Sequence, residues 1–221
     1  MSPIIRAFFG RPTGSLQYVF HCAATRTAAI LDPVWNIHRE AEAITTQASD
    51  EILAYVATEN LKVLGVFSED EEFMLGEIPV CVMFSPGHKL AATTYVVGDA
   101  AFVHDTLMMP VSGTSRADFP GGSAENLWRS PRAILDLSSE TRLHIGHDDP
   151  KPSAAPQGIA MVAEHRLRNW HVKDGIVTTE FITTRAARDA TLSLRAPKLA
   201  ALQVIICVGT CPRPKRMNII I

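Results

Sequence analysis

The fold is decided by the stretch GDAAFVHDTL, residues 98–107. Its apolar centre, residues 100–103, is followed at once by His104 and Asp105, a pattern typical of a short buried strand that ends in a polar loop. Two other stretches end in the same way: residues 78–84 run into Pro86-Gly87-His88, and residues 141–145 run into Gly146-His147-Asp148. Three buried strands are therefore predicted to carry histidine or aspartate side chains to loops.

Further strands and helices are predicted around these three. The residue pattern predicts strands at residues 4–9, 16–22, 28–32, 62–67 and 92–97, and a strand-like tail at the C-terminus. Apolar spacing predicts a helix that begins at Ser49, which we interpret as its N-cap. A second helix is expected at residues 123–135, where Pro131 should kink or divide it. The last two helices are expected at residues 159–170 and 178–191.

The composition is that of a compact globular protein. The chain has 221 residues, of which 47% are hydrophobic and 20% charged, which predicts a single domain over residues 1–221 with a substantial core. A net charge of −2 with scattered basic residues argues against nucleic acid as a partner. The N-terminus lacks the pattern of a signal peptide, and no apolar run reaches the ~20 residues that cross a bilayer. We therefore expect a cytoplasmic protein without a membrane span.

The four cysteines of the chain include no C-x-x-C pair. We interpret them as free thiols of a protein in a reducing compartment, because free cysteine is among the most buried residue types. Cys207 and Cys211 leave a disulfide or a metal site open as the alternative.

His88, Asp105 and His147 are the candidate metal ligands. Imidazole and carboxylate groups at strand ends are the donors from which zinc and non-haem iron sites are built. The alternative for each residue is a hydrogen-bonded loop side chain. His21 and His144 lie within strand-like runs and are interpreted as structural residues with satisfied hydrogen bonds. No pattern distinguishes the remaining histidines, which are His38, His104, His165 and His171.

Several phrases, in their order and spacing, resemble bacterial persulfide dioxygenases and their glyoxalase II-like relatives. They are RPTGSLQY (11–18), AILDP (29–33), PGH (86–88), the stretch 98–107, GTSRADFPGG (113–122), GHD (146–148), VAEHRLRN (162–169) and AARDATL (186–192). The resemblance implies an α+β protein with the four-layer αββα sandwich of the metallo-β-lactamase fold. It also implies a metal ion at one edge of the two sheets.

The resemblance further implies roles for particular residues. In the dioxygenases, iron is held by the first His of an H-x-H-x-D-H motif and by residues that correspond to His88 and Asp105. His147 corresponds to a histidine that binds metal in the dinuclear hydrolases. Supporting positions are implied for Arg116, Asp118 and Asp148. A place near a glutathione-type thiol substrate is implied for Arg166 and Asp149; a solvated helix charge is the alternative for Arg166.

The chain departs from the family in one decisive respect: it has no H-x-H-x-D-H motif. The motif is expected after the predicted strand at residues 62–67, yet the family pattern resumes at about Phe73, so part of the first sheet and its helices is missing. In addition, Lys89 and Asp149 occupy positions where the family has a small hydroxyl residue and a tyrosine. Two remaining ligands would bind a metal ion weakly.

Three hypotheses follow for function. The first is an impaired Fe(II)-dependent oxidation of glutathione persulfide, and the second is a Zn(II)-dependent thioester hydrolase of the glyoxalase II type. The third is a non-catalytic deleted variant. Because an incomplete sheet exposes an edge and apolar surface, a homodimer is a further possibility.

Overall fold

The computed structural model describes residues 1–11, 13–33, 36–38, 43–64, 72–151 and 153–192; for residues 36–38 and 43–45 it describes only the backbone. The predicted C-terminal tail, with Cys207 and Cys211, lies outside these ranges. Residues 65–67, the end of the strand predicted at 62–67, also lie outside these ranges.

The first sheet has four strands in the described part of the chain. They are β1 (Ile4–Gly10), β2 (Ser15–His21), β3 (Thr27–Leu31) and the two-residue strand β6 (Lys62–Val63). Between β3 and β6 in the chain, β4 (Asn36–His38) and β5 (Ala43–Thr45) form a separate small hairpin. The sheet order is β1-β2-β3-β6, antiparallel except for the parallel pair β3 and β6. Both residues of β6 are exposed.

The second sheet has six strands, in the order β12-β11-β10-β9-β8-β7. Their bounds are β7 (Glu72–Leu75), β8 (Ile78–Phe84), β9 (Thr93–Val97), β10 (Ala100–His104), β11 (Arg142–Ile145) and β12 (Ile159–Met161). Only β10 and β11 are parallel; the other neighbours are antiparallel. Since β10 and β11 run in the same direction, the residues that follow them emerge at the same edge of the sheet.

In the ranges that the structure describes, four helices cover the two sheets. The helix α1 (Gln47–Thr58) packs Ile52 against Val19 and Ala28 of the first sheet. The helices α2 (Ala124–Leu135), α3 (Val162–Arg168) and α4 (Thr178–Thr191) contribute buried residues such as Leu127 and Phe181 to a larger core that both sheets share. The layers are therefore helix, sheet, sheet and helix, which confirms the predicted four-layer α+β architecture. In the described residues, no helix has the length and apolar character that a membrane span requires.

Three details of the predicted helices are wrong. The helix α1 begins at Gln47 with Thr46 as its N-cap, so Ser49 lies inside the first turn. Pro131 does not divide α2, because the helix runs without interruption from Ala124 to Leu135 with this buried proline inside it. Residues 159–161 are not helical but form β12, since pairing with β11 gives their backbone an alternative set of partners.

An aromatic cluster joins the two sheets. Phe102 of β10 is 1% exposed, and its ring lies 4.7 Å from that of Phe20 and 5.2 Å from that of Tyr18, centroid to centroid. The Tyr18 hydroxyl donates a hydrogen bond of 2.7 Å to the backbone carbonyl of Ile145. The core between the sheets therefore fixes their relative position through both packing and a buried hydrogen bond.

Replacing Phe102 with alanine should lower the free energy of unfolding by about 3–5 kcal/mol, because the change opens a cavity between the sheets. Urea denaturation monitored by circular dichroism measures this. The matched control is Met74→Ala, at a side chain that is 55% exposed, where a change of at most about 0.5 kcal/mol is expected. Equal losses in the two variants would show that Phe102 does not join the sheets.

Candidate functional site

Three strand ends of the second sheet bring the predicted ligands together. His88 follows β8, Asp105 follows β10 and His147 follows β11. The turn before His88 needs glycine, because Gly87 has a φ of +142° and a Cβ there would lie 2.4 Å from the Cα of Leu127 in α2. This close approach to α2 fixes the position of His88.

His88 is buried and has one defined ring orientation. Its Nδ1 lies 2.8 Å from the carbonyl oxygen of Arg116. Because a carbonyl only accepts, Nδ1 carries the proton, and the Nε2 of the neutral ring has a free lone pair. Nε2 lies 3.7 Å from Oδ2 of Asp105. Burial lowers the pKa of His88 in spite of this carboxylate, so the neutral ring is favoured.

Asp105 and His147 form a close pair. Oδ1 of Asp105 lies 2.5 Å from Nδ1 of His147. Burial opposes ionisation of Asp105, but the hydrogen bond and charge of His147 outweigh it and hold the pKa of the carboxyl well below its ordinary value. Burial also lowers the pKa of His147, yet the same bond to Asp105 reverses the shift and the pKa is raised. Glycine at position 146 allows this approach, since a Cβ there would lie 2.9 Å from Asp105 Oδ1.

The donor atoms fit part of a metal centre. Two ligands about 2.1 Å from one ion and 3.7 Å apart subtend an angle of roughly 120°, so His88 Nε2 and Asp105 Oδ2 are well placed to share an ion. His147 is hydrogen-bonded to Asp105 through Nδ1, and it is not grouped with His88 and Asp105 as a third ligand in this arrangement. Among the residues that the structure describes, no group of three or more histidine, cysteine, aspartate or glutamate side chains is arranged to hold a metal ion. The side chains therefore do not fit a complete centre.

A second histidine–carboxylate pair lies beside the first, and it was not predicted from the sequence. His104 Nδ1 is hydrogen-bonded to Asp32 Oδ2, which joins the end of β10 to the end of β3. Both residues have a positive φ, +46° for His104 and +52° for Asp32, a conformation that is uncommon outside glycine. The adjacent position of His104 and Asp105 was visible in the sequence, but a partner 72 residues away was not.

The comparisons with known proteins agree with this architecture. No protein-family model matches the chain. It is 36% identical over 270 residues to the beta-lactamase hydrolase-like protein of Xylella fastidiosa, which covers 97% of this chain and 62% of that protein. It is 42% identical over 154 residues to glyoxylase B2 of Dictyostelium discoideum, covering 69% of this chain and 52% of that protein. Its fold matches the crystal structure of ETHE1 from Myxococcus xanthus with a TM-score of 0.69 and 23% identity, over 91% of this chain and 97% of that one.

The chain has the metallo-β-lactamase fold, and its similarity to the beta-lactamase hydrolase-like proteins extends over nearly its whole length. It spans about three fifths of the length of the beta-lactamase hydrolase-like relatives. The alignment to the Xylella protein runs over 270 positions, whereas this chain has 221 residues in all, so at least 49 positions of that relative have no counterpart here. A gap of this size agrees with the missing H-x-H-x-D-H segment.

The other residues implied by the superfamily resemblance occupy varied places. Arg116 pairs with Asp118 through two hydrogen bonds and also donates to the carbonyl of Leu192. Asp148 accepts from the backbone N–H groups of residues 149 and 157, so its carboxylate organises its own loop. Arg166 is bonded to Asp174 on the surface of α3 at 2.9 Å, and Asp149 is exposed.

The histidines within the strands are buried, as predicted, but the prediction that their hydrogen bonds are satisfied is wrong for the described residues. Neither ring nitrogen of His21 or His144 has a partner there. The His144 ring lies 5.3 Å from that of Tyr18 and 4.9 Å from that of Phe102. Burial, assisted by the charge of Arg142, lowers the pKa of His144 to about 4.

This lowered pKa predicts acid sensitivity. The unfolded chain binds a proton at His144 below about pH 6.5, whereas the folded chain resists protonation until about pH 4. The stability that neutral His144 confers is therefore present above pH 6.5 and is lost as the pH falls towards 4. Between pH 7 and pH 4.5, His144 should lower the free energy of unfolding of the parent chain by about 2 kcal/mol. The substitution His144→Phe should remove this decrease. Urea denaturation at several pH values measures it.

Tyr95→Phe is the matched control, because it changes an aromatic strand residue without removing a group that titrates in this range. This variant should keep the pH dependence of the parent chain. An unchanged pH dependence in His144→Phe would contradict the assignment of acid sensitivity to His144.

Proposed function

We propose that this chain is a persulfide dioxygenase-like protein whose iron-dependent oxidation of glutathione persulfide is impaired by the missing H-x-H-x-D-H segment. The observation that carries the proposal is the geometry of His88 and Asp105. One nitrogen of His88 is held by a backbone carbonyl, and the other faces a carboxylate oxygen at 3.7 Å. Histidines that bind metals characteristically donate their second ring N–H to a carbonyl or carboxylate in this way.

Further support comes from the relatives. The phrases shared with the dioxygenases run from Arg11 to Leu192, and the Myxococcus protein that shares the fold is named ETHE1. A cytoplasmic location and a glutathione-type thiol substrate belong to the same proposal. The surface pair of Arg166 with Asp174 makes Arg166 a weaker candidate for substrate binding, because a thiol substrate would have to compete with that carboxylate.

The impairment rests on the number and state of the ligands. Two protein donors orient an ion poorly and bind it weakly, whereas iron sites of this type use two histidines and one carboxylate with open positions. His147 is bonded to Asp105 through Nδ1, so it would contribute a third donor only through an unprotonated Nε2. Loss of a group that merely supports a ligand lowers metal affinity about 10–100-fold, so loss of a ligand should cost more.

The second candidate function is a zinc-dependent thioester hydrolase. The identity of 42% to a protein named glyoxylase B2 favours it. The same residues would serve, because histidine and carboxylate bind zinc as well as iron. If the present chain has no turnover of either kind, it is the non-catalytic variant of the same scaffold.

Restoring the missing segment tests the proposal. The corresponding segment of the Xylella relative would be inserted after Gly65, and both chains would be purified after expression with added iron. The repaired chain should hold close to one iron per chain and consume oxygen with glutathione persulfide. The present chain should show less than about one tenth of both values, because a first ligand is worth more than the 10–100-fold of a supporting group.

Two controls sharpen this test. His88→Ala in the repaired chain should abolish iron binding, which shows that the restored activity uses the proposed site. Hydrolysis of a glutathione thioester by the zinc-loaded repaired chain, without persulfide oxidation by the iron form, would instead support the second candidate. Stoichiometric iron and full oxygen consumption in the unrepaired chain would overturn the proposed impairment.

A further inference from the structure

The peptide group between Arg116 and Ala117 is hydrogen-bonded at both of its ends. Its carbonyl oxygen accepts from His88 Nδ1 at 2.8 Å. Its N–H, which belongs to Ala117, donates to Asp189 Oδ2 at 3.0 Å. Because the six atoms of a peptide group lie in one plane, a bond that fixes the direction of the N–H also fixes the direction of the carbonyl.

Asp189 is itself held rigidly. Its other carboxylate oxygen, Oδ1, accepts a hydrogen bond of 2.7 Å from Arg185, one turn earlier in α4. Arg185 also donates to the carbonyl of Thr114 at 3.1 Å. The two side chains are only 2% and 8% exposed. A continuous hydrogen-bonded chain therefore runs from the guanidinium in α4 through the carboxylate and the peptide group to the His88 ring.

A buried ion pair is weak evidence for a role in stability, since an apolar pair of similar volume often stabilises a protein equally well. The location of this pair indicates another role. The Asp189 carboxylate accepts from the peptide N–H, which polarises the carbonyl and strengthens its bond to His88 Nδ1. The Arg116 guanidinium donates hydrogen bonds to Asp118 and to the carbonyl of Leu192.

We propose that Asp189, held by Arg185, is a positioning residue that acts through the Arg116–Ala117 peptide group to keep His88 in its Nδ1–H form with Nε2 directed at Asp105. The inference rests on the proposed function only in treating His88 as a metal ligand. Helix α4 thus belongs to the machinery of the site, although none of its residues has a side-chain contact with His88, Asp105 or His147 among the bonds described.

Nitrogen-15 NMR of the histidine rings tests this directly. Long-range proton–nitrogen correlation at pH 8 distinguishes the two neutral forms of His88, and the His88→Gln spectrum assigns its signals. The present chain should show His88 predominantly as Nδ1–H. Asp189→Ala alone leaves Arg185 buried without its partner and can prevent folding. The decisive variant is therefore the double substitution Arg185→Met with Asp189→Leu, which replaces the pair with apolar groups of similar size.

The double variant should fold and should shift the His88 population towards Nε2–H by about fivefold, the equivalent of one hydrogen bond. Arg185→Met with Asp189→Asn keeps an oxygen acceptor for the Ala117 N–H without a buried cation beside it, and should rescue most of the Nδ1–H population. One control should resemble the parent chain: Asp99→Asn, which removes an exposed pair with Arg142. If Asp189 only stabilised the fold, the populations of the two His88 ring forms would not differ between these variants in this way.

The same substitutions in the repaired chain should lower zinc affinity about 10–100-fold, the range for loss of a group that supports a ligand. A folded double variant with the parent's His88 spectrum would overturn the inference. The NMR result does not depend on metal, so it stands or fails separately from the proposed function. If the repaired chain takes up no metal while the spectra change as expected, the proposed function fails and the positioning role of Asp189 remains.

Discussion

The site depends on backbone hydrogen bonds that join the start of β2 to the loop after β11. The N–H of Leu16 donates to the carbonyl of Gly146 at 2.7 Å, and the N–H of Asp148 donates to the carbonyl of Gly14 at 2.9 Å. The loop that carries His147 is therefore held by the first sheet, although His147 follows a strand of the second. A change in the relative position of the sheets would move His147 relative to Asp105. The aromatic cluster around Phe102 prevents such a change.

This dependence explains how the chain can lose a segment and keep most of its site geometry. The residues that define the site and its supports follow strands of the second sheet or lie in loops packed on α2 and α4. The second sheet has six strands in the described residues, and its core with the helices is continuous. The missing motif is expected after β6, which is short and exposed. The second sheet and the missing motif therefore involve different parts of the chain. The second sheet stays intact without the motif.

The strands and the candidate ligand residues that follow them could be located from sequence, because both depend on local patterns. An apolar run that ends in Pro-Gly-His or His-Asp is visible in a few residues, and the bounds of β8 were predicted to the residue. The register between sheets was not predictable, since it depends on shape complementarity between side chains far apart in sequence. For this reason the pairs His104–Asp32 and Asp189–Ala117 were missed, and β12 was mistaken for the start of a helix.

Asp105 shows why the number of ligands matters more than their identity. Its carboxylate faces His88 Nε2 on one side and is bonded to His147 on the other. The bond to His147 holds the pKa of the Asp105 carboxyl low and raises that of the His147 ring. A metal ion at Asp105 would compete with this hydrogen bond and, at the histidines, with protonation. A complete set of ligands offsets that competition, because several metal–ligand bonds form together. With two donors fewer such bonds form, whereas the hydrogen bond between Asp105 and His147 is already present.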